Sequence, residues 1–351
     1  MISGLGSPMH PEDLLDGKYE LLGRLGDGHF GEVWRARHAL TGRESAVKIM
    51  NMAHSTPDDA WTEATRLTRL ESDYLVRVFG AGQTTDVAYI DMELATGGSA
   101  GAAAGNLGTS PRLATHWVGR VADGLQLCHD NGLLHRDVKP DNILLDAAGN
   151  ALLGDFGATG LMDPLGQASI HGDIEIVAPE VFVTKRCTRY SDVYSLGVTL
   201  IALLGGQLPL RLKDYTSRAE FEEAVQAGLP DIRRTLPHVS FQLAKVIATA
   251  VNVDPAERYE SASAFRAALN RLPALKRDVA AVSPHNPSAS CWRALGRGNS
   301  RSIHVCAEPR ESDVVVTTVY EESGTHLRRL CGAVPFKKHN AFLQRVFKSV
   351  A

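Results

Sequence analysis

Between His135 and Asn142 the chain reads His-Arg-Asp-Val-Lys-Pro-Asp-Asn, and thirteen residues after Asn142 comes Asp155-Phe156-Gly157. A carboxylate at Asp137 can accept the proton of an incoming hydroxyl, and the ammonium of Lys139 can neutralise a phosphoryl group in transit. Asn142 and Asp155 offer the hard oxygen donors that Mg2+ takes alongside a nucleotide's own phosphates. Upstream, Lys48 closes the apolar run Ala46-Val47-Lys48, where an ammonium can point at α- and β-phosphates. Such a cation wants an anion to hold it, and Glu63 is the candidate. Gly26-Asp27-Gly28-His29-Phe30-Gly31 would let the backbone come close to phosphate oxygens. The same glycine spacing marks dinucleotide-binding turns, but those run straight into a helix, and Glu32-Val33-Trp34-Arg35-Ala36 alternates like a strand. Taken singly, each residue has a plain reading: a glycine hairpin, a solvated strand lysine, a glutamate on a solvated helix face. The order in which they occur is what speaks for chemistry. None of the five cysteines sits in a motif, so no covalent nucleophile is implied.

These motifs resemble the eukaryotic-like serine/threonine protein kinase family over about residues 19–272. The His-Arg-Asp-x-Lys-Pro-x-Asn form, with Lys139, is similar to the serine/threonine rather than the tyrosine branch. Ala178-Pro179-Glu180 resembles the end of that family's activation segment, and Ser191–Gly197 the start of its central helix, with Asp192 bracing the catalytic loop. Asp254-Pro255-Ala256-Glu257-Arg258 resembles the late arginine motif, with Glu180 and Arg258 as a buried ion pair. The resemblance implies an α+β, bilobal protein-kinase fold that moves the γ-phosphoryl group of ATP to a serine or threonine hydroxyl of a protein. Mg2+ would be the cofactor beside ATP, with Mn2+ as a substitute. Asp137 would be the base, with Lys139, Lys48 and Glu63 completing the catalytic set and Asn142 and Asp155 holding the metal. The nucleotide would meet Leu25, Gly26, Gly28, Gly31, Val33, Ala46 and Lys48. Met92 would be the gatekeeper, Glu93 and Leu94 the hinge, and Leu144 the floor. Ordinary core packing explains the composition of the apolar members equally well; only their register with the motifs favours a pocket. The alternative from another class is a nucleotide-binding, pseudokinase-like scaffold whose basic C-terminal unit carries the function.

Three features depart from the family pattern. Gly172-Asp173 stands where a Gly-Thr pair is usual, which brings a carboxylate towards Asp137, partly offset by Lys139. Fifteen residues separate Lys48 from Glu63, a short connection, and a Gly/Ala-rich run follows the hinge. From Asp155 to Glu180 the side-chain hydroxyls are Thr159 and Ser169. Arg136 can pair with a phosphate on either, or simply contact backbone or a native carboxylate such as Asp173; both readings stay open.

Stepping outward, residues 1–18 read as a flexible leader. Strand-like runs broken by glycine occupy 19–93 and make a β-rich lobe, interrupted by a helical stretch from about Pro57 to Leu70. Residues 94–272 are mostly helical: Pro111–Asn131, Ser191–Gly205, Arg218–Ala227, Val239–Asn252 and Ser261–Arg271. Residues 273–290, with three prolines, read as a linker. Residues 291–351 read as a small basic α+β unit with strands at Ser302–Ala307, Asp313–Tyr320 and Leu327–Val334 and a helix at Asn340–Val350.

The chain has 351 residues, 44% hydrophobic and 22% charged, which excludes wholesale disorder and collagen-like repeats. Residues 274–351 hold 12 Lys+Arg against 6 Asp+Glu, while the remainder holds 25 against 34. Arg293, Arg297, Arg301, Arg328, Arg329, Lys337 and Lys338 give the end a basic surface suited to an acidic partner, nucleic acid or the acidic kinase body, and substrate docking or autoregulation is the preferred reading. The odd number and wide spread of cysteines favour reduced thiols over a disulfide framework, and with no export signal the expected location is cytoplasmic. His304, Cys306, His326 and Cys331 are the candidates for a zinc site, without the usual ligand spacing. No membrane partner is expected.

Overall fold

The computed structural model describes residues 9–28, 31–50, 68 and 70–351. Glu63, His29, Phe30 and most of the helix expected at Pro57–Leu70 lie outside these residues.

The first layer is an antiparallel sheet. Its strands are β1 (Leu14–Leu15), β2 (Tyr19–Gly28), β3 (Gly31–His38), β4 (Glu44–Met50), β5 (Val78–Gln83) and β6 (Ala88–Met92), in the order β1-β2-β3-β4-β6-β5. Period-2 alternation drives it: Leu21, Trp34, Ala36, Val47, Ile49 and Tyr89 turn to one buried face. Gly31 opens β3 at φ 143°, and a Cβ there would run into the carbonyl of Ile49, so the hairpin must close on glycine. The expectation of a flexible leader through residue 18 is corrected by β1, which pairs with β2 and buries Leu15 in this core. Two leucines are too few to show alternation in the sequence.

The second layer is helical: α1 (Ala100–Ala104), α2 (Pro111–Asp130), α3 (Pro179–Thr184), α4 (Arg189–Gly205), α5 (Arg218–Ala227), α6 (Phe241–Ala250) and α7 (Ala262–Asn270). Serine caps set the starts of α2, α5, α6 and α7: Ser110, Ser217, Ser240 and Ser261 each accept an amide of the first turn. Helix α4 is apolar almost all round and sits in the middle of the lobe, with Leu196, Leu200 and Leu203 fully buried. Short strands β7 (Leu133–Leu134), β8 (Ile143–Leu145), β9 (Ala151–Leu153), β10 (Gly160–Leu161), β11 (Ala168–Ser169) and β12 (Arg186–Cys187) form three two-stranded ribbons that carry the loops between the layers.

The C-terminal unit is a five-stranded antiparallel sheet of β13 (Arg277–Val282), β14 (Ser290–Gly296), β15 (Ile303–Pro309), β16 (Asp313–Tyr320) and β17 (Gly332–Pro335), in chain order, with α8 (Phe336–Val350) on one face. Trp292, Ala294, Ile303, Val305, Val314 and Val316 meet Leu343, Val346, Phe347 and Val350 of the helix in a separate core. Strand β13 corrects the expectation of a linker over 273–290: it pairs with β14 along its whole length. The prolines on either side limit where the strand runs and say nothing against a strand between them. The strand expected at Leu327–Val334 is also corrected. Thr318 donates its hydroxyl to Leu330 O at 2.9 Å and accepts Leu327 N at 2.8 Å, folding 328–330 into a 3-10 turn and leaving only Gly332–Pro335 extended. The expectation of reduced thiols fails as well: Cys291 and Cys306 are joined in a disulfide, opposite each other across β14 and β15. Their spacing of 15 residues is legible as a pair only once the register is known.

This unit is docked on the helical lobe. Arg112 and Asp278 pair at 3.3 Å, Asn340 donates to Arg234 O at 2.8 Å, and Gln344 donates to Arg233 O at 3.0 Å. His238 of the helical lobe is buried beside Trp292 and Phe347, ring centroids 6.5 and 6.2 Å away, and among the described residues neither ring nitrogen is hydrogen-bonded. Burial lowers its pKa from 6.5 to about 4. The unfolded chain therefore takes up this proton first: the stability linked to His238 is fully present above about pH 6.5 and is lost as pH falls towards 4. Replacing His238 with Phe is expected to flatten the pH dependence of the urea midpoint across that window. Parallel curves for the two proteins would contradict the assignment.

Candidate active site

The stretch His135–Asn142 leaves β7 and returns into β8, so both of its ends are tied to short ribbons. One buried carboxylate holds its start. Asp192, on the first turn of α4, accepts the amides of His135 at 2.9 Å and Arg136 at 2.8 Å. His129 Nε2 lies 2.8 Å from the same carboxylate. Burial alone would push the Asp192 carboxyl up; His129 and the amides outweigh that and leave it lowered. Arg136 sits at φ 66°, a left-handed conformation that a side chain adopts only when its surroundings insist.

Held in this way, Asp137 is buried and its two oxygens are separately engaged. Oδ1 accepts the amide of Asp173 at 2.9 Å, and Oδ2 accepts Asn142 Nδ2 at 2.8 Å. Lys139 Nζ stands 3.1 Å from Asp137 Oδ2 and 3.4 Å from Asp173 Oδ2, so one ammonium is shared by two carboxylates. Burial opposes its charge, but Asp137 and then Asp173 overcome this and raise the Lys139 pKa. Asp173 thus reaches the neighbourhood that the sequence implied. Gly172 takes it there at φ 88°, and a Cβ at that position would strike Arg136 O.

Asp155 closes the constellation. Lys48, buried at the end of β4, donates to Asp155 Oδ1 at 2.8 Å. Phe156 packs edge-on to His135, centroids 5.3 Å apart, and is buried; with Asp155 at φ 51° this turns the carboxylate to the opposite side, towards Lys48. The expected partner Glu63 lies outside the described residues. Of the apolar set, Ala46 faces Met92 across β4 and β6, and Val33 faces Lys48 across β3 and β4. Leu144, on β8, bridges to Ser99 just beyond Met92, Glu93 and Leu94. Leu25 and Gly26 are exposed on β2, with Gly26 opposite Val33. The amide of Glu93 is spent on Arg77 O at 2.8 Å.

Arg136 reaches the following segment. It donates to Ala158 O at 2.5 Å and to Ser169 O at 2.8 Å, with Ser169 Oγ at 3.3 Å. Asp173 is bonded to Lys139 instead. Thr159 keeps its hydroxyl buried with no hydrogen-bond partner among the described residues, while Ser169 is exposed. Glu180 receives Arg258 in a two-pronged pair at 2.9 and 2.7 Å, as expected for those two positions. Beyond Asp173 opens a groove of about 920 Å³ lined by Ile174, Glu175, Gln207, Leu208 and Arg211. Sequence reasoning missed His129, which lies 63 residues from Asp192 in the chain and has no motif of its own; its place at the end of α2, a turn from the His-Arg-Asp stretch, was the available signal.

Residues 19–269 match the protein kinase domain family. The chain is 30% identical over 261 residues to the serine/threonine-protein kinase PrkC of Bacillus subtilis, covering 72% of this chain and 40% of that protein. It is 30% identical over 312 residues to the serine/threonine-protein kinase PknL of Mycobacterium tuberculosis, covering 83% of this chain and 77% of that protein. It is 34% identical over 209 residues to CBL-interacting protein kinase 17 of Oryza sativa, covering 56% and 46%. Against PrkC and the rice protein the chain spans under half of the relative's length.

Burial alone would raise the Asp155 carboxyl; Lys48 beside it more than cancels this and lowers it below 3.8. Asp155 therefore stabilises the fold above the unfolded value and gives that up as pH falls through the lower, folded one. In Lys48→Met the opposing charge is gone, and the Asp155 pKa is expected to rise, as read by carboxyl carbon NMR. An unmoved titration would remove Lys48 as its controlling partner.

Proposed function

The chain belongs to the protein kinase domain family, and on that premise we propose that it transfers the γ-phosphoryl group of ATP to a serine or threonine hydroxyl of a protein substrate. The observation that carries this reading is the convergence of Asp137, Lys139, Asn142, Asp155 and Lys48 from three separate chain segments. Phosphoryl transfer asks a protein mainly for orientation and charge neutralisation, and this set does both.

Asp137 takes the hydroxyl proton on Oδ2, while its Oδ1 stays anchored by the Asp173 amide. Lys139 offsets the charge of both carboxylates and of the group in transit. Lys48 orients the phosphates. The Asn142 amide nitrogen is engaged by Asp137, so its oxygen is the donor it offers to a cation, and the lowered Asp155 carboxyl is a second hard oxygen. This donor set suits Mg2+, which would draw charge from the phosphate oxygens. Leu25, Val33, Ala46, Met92 and Leu144 enclose the purine, with Glu93 contributing its carbonyl and Leu94 its backbone, and Gly26, Gly28 and Gly31 lie over the phosphates. The groove beyond Asp173 receives the substrate segment. Asp173 does not disable the site in this reading, because its backbone amide still orients Asp137 and Lys139 balances its carboxylate. The C-terminal unit, docked beside α2, serves substrate docking or regulation. Among the described residues no helix is long and apolar enough to cross a membrane.

With labelled ATP, Mg2+ and a generic protein substrate, Asp137→Asn is expected to lower incorporation by about 10²–10⁴-fold while ATP binding persists. Full incorporation by that variant would end the proposal. No incorporation by the unaltered protein, with ATP still bound, would select the scaffold reading. Ser169 is the regulatory hydroxyl we favour, because it is exposed and already faces Arg136. Phosphate found there by mass spectrometry, with activity lost in Ser169→Ala and retained in Thr159→Ala, is the expected pattern. Equal activity in all three proteins would remove phosphorylation of this segment as the switch.

A further inference from the structure

On the face of the C-terminal sheet turned away from α8, three metal-binding side chains, His285, Cys291 and Cys306, converge, and His304 adjoins Cys306. Strand alternation puts Ile303, Val305 and Ala307 against the helix and leaves His304 and Cys306, two residues apart, together on the other side. Cys291 is the cross-strand partner of Cys306, with their Cα atoms 4.3 Å apart. The loop between β13 and β14 then brings His285 over the pair. Its Nδ1 lies 3.5 Å from Cys291 Sγ and 3.6 Å from Cys306 Sγ. His304 Nε2 lies 3.0 Å from Cys306 Sγ. Only two of the four ligands first considered, His304 and Cys306, belong here: Cys331 is bonded instead to Thr318 and Leu327, and His326 is exposed.

We propose that Cys291, Cys306 and His285, with His304 beside Cys306 as the fourth ligand, form a Cys2His2 site for a tetrahedral, thiophilic divalent ion, Zn2+ foremost, and that the disulfide is its oxidised, metal-free form. A disulfide needs no imidazole beside it, yet two flank this one. In a tetrahedral zinc site, Zn–S near 2.3 Å and Zn–N near 2.0–2.1 Å place sulfur and nitrogen about 3.6 Å apart. The contacts of His285 to both sulfurs already have that separation. The His285 loop is also built rather than loose. Asn286 donates to Glu308 Oε1 at 3.0 Å and accepts Ser288 N at 3.2 Å, and Ala289 N returns to Asn286 O at 2.9 Å. The two sulfurs are buried while His285 is exposed, which gives the ion a way in and a closed floor.

The conversion balances. A two-electron reductant opens the disulfide to two thiols; a phosphine does so by becoming its oxide with the oxygen of one water. Each thiol then releases its proton as it binds, so that one Zn2+ replaces two H+ and the two imidazoles bind in their neutral form.

The test uses the full chain, reduced with a phosphine until all five thiols titrate, in excess Mg2+ to fill the nucleotide-linked cation sites. Zinc is added, the protein is passed through a desalting column, and bound metal is measured; Co2+ in its place reports thiolate coordination by visible absorption. One Zn2+ per chain is expected. It should be absent from the Cys291→Ser, Cys306→Ser double variant and from the unreduced protein. In His285→Gln, which changes only an exposed loop residue, affinity should fall by more than the about 10–100-fold that losing an outer-shell partner costs. The proposal is overturned if the reduced chain takes up no zinc, if uptake survives in the double serine variant, or if His285→Gln binds as tightly as the unaltered chain.

Discussion

The active-site loop rests on one buried carboxylate. Asp192 accepts two consecutive backbone amides, His135 and Arg136, and meets His129 on its flank. Each amide takes its own oxygen of the carboxylate, and the chain turns sharply just beyond them at the left-handed Arg136. Such a conformation costs about 1–3 kcal/mol, which the hydrogen bonds to a charged acceptor offset. Everything downstream follows from the turn. It aims Asp137 into the cleft, sends the Arg136 side chain to Ala158 and Ser169, and leaves His135 to pack under Phe156. Moving Asp192 would therefore disturb Asp137, Asp155 and the segment after it together.

Charge balance is the second constraint. Three carboxylates, Asp137, Asp155 and Asp173, crowd one region with two lysines between them. Lys48 answers Asp155 and Lys139 answers the other two. The backbone shares the load: Asp137 accepts the Asp173 amide, and Asp173 accepts the Glu175 amide at the start of a 3-10 turn. A carboxylate at position 173 is thus tolerated through capping and a shared lysine, and the hydrogen bond that orients Asp137 comes from the main chain, whatever the side chain there.

The C-terminal sheet shows how one alternating pattern serves two purposes. Its inward residues make a core with α8 that is separate from the core of the helical lobe. Its outward residues on β14 and β15 collect the sulfur and imidazole groups. The unit is held to the helical lobe through Arg112, Asn340 and Gln344 and through the His238 cluster of rings. Several of the basic residues that stood out in the sequence are engaged locally: Arg293 with Glu321 at 2.8 Å, and Arg301 over the Tyr320 ring.

Much of the fold and site was legible because its signals are local. Helices such as Pro111–Asp130 and Arg218–Ala227 announce themselves by serine caps and periodic apolar residues, and the motifs around Asp137 and Asp155 are short runs whose side chains must be near one another in any fold. Two edge strands were not legible. Strands β1 and β13 are short or alanine-rich, and each draws its stability from a neighbour's hydrogen bonds rather than its own pattern. The residues alone marked out which groups could do chemistry and in what order they come. Tertiary structure decided which of them touch: His129 with Asp192, Lys139 between two carboxylates, and Cys291 with Cys306 beneath two histidines. The reason is physical. A sequence records the type of each donor and acceptor, whereas contacts of a few ångströms between distant segments depend on strand register and backbone turns that exist only once the whole chain has packed.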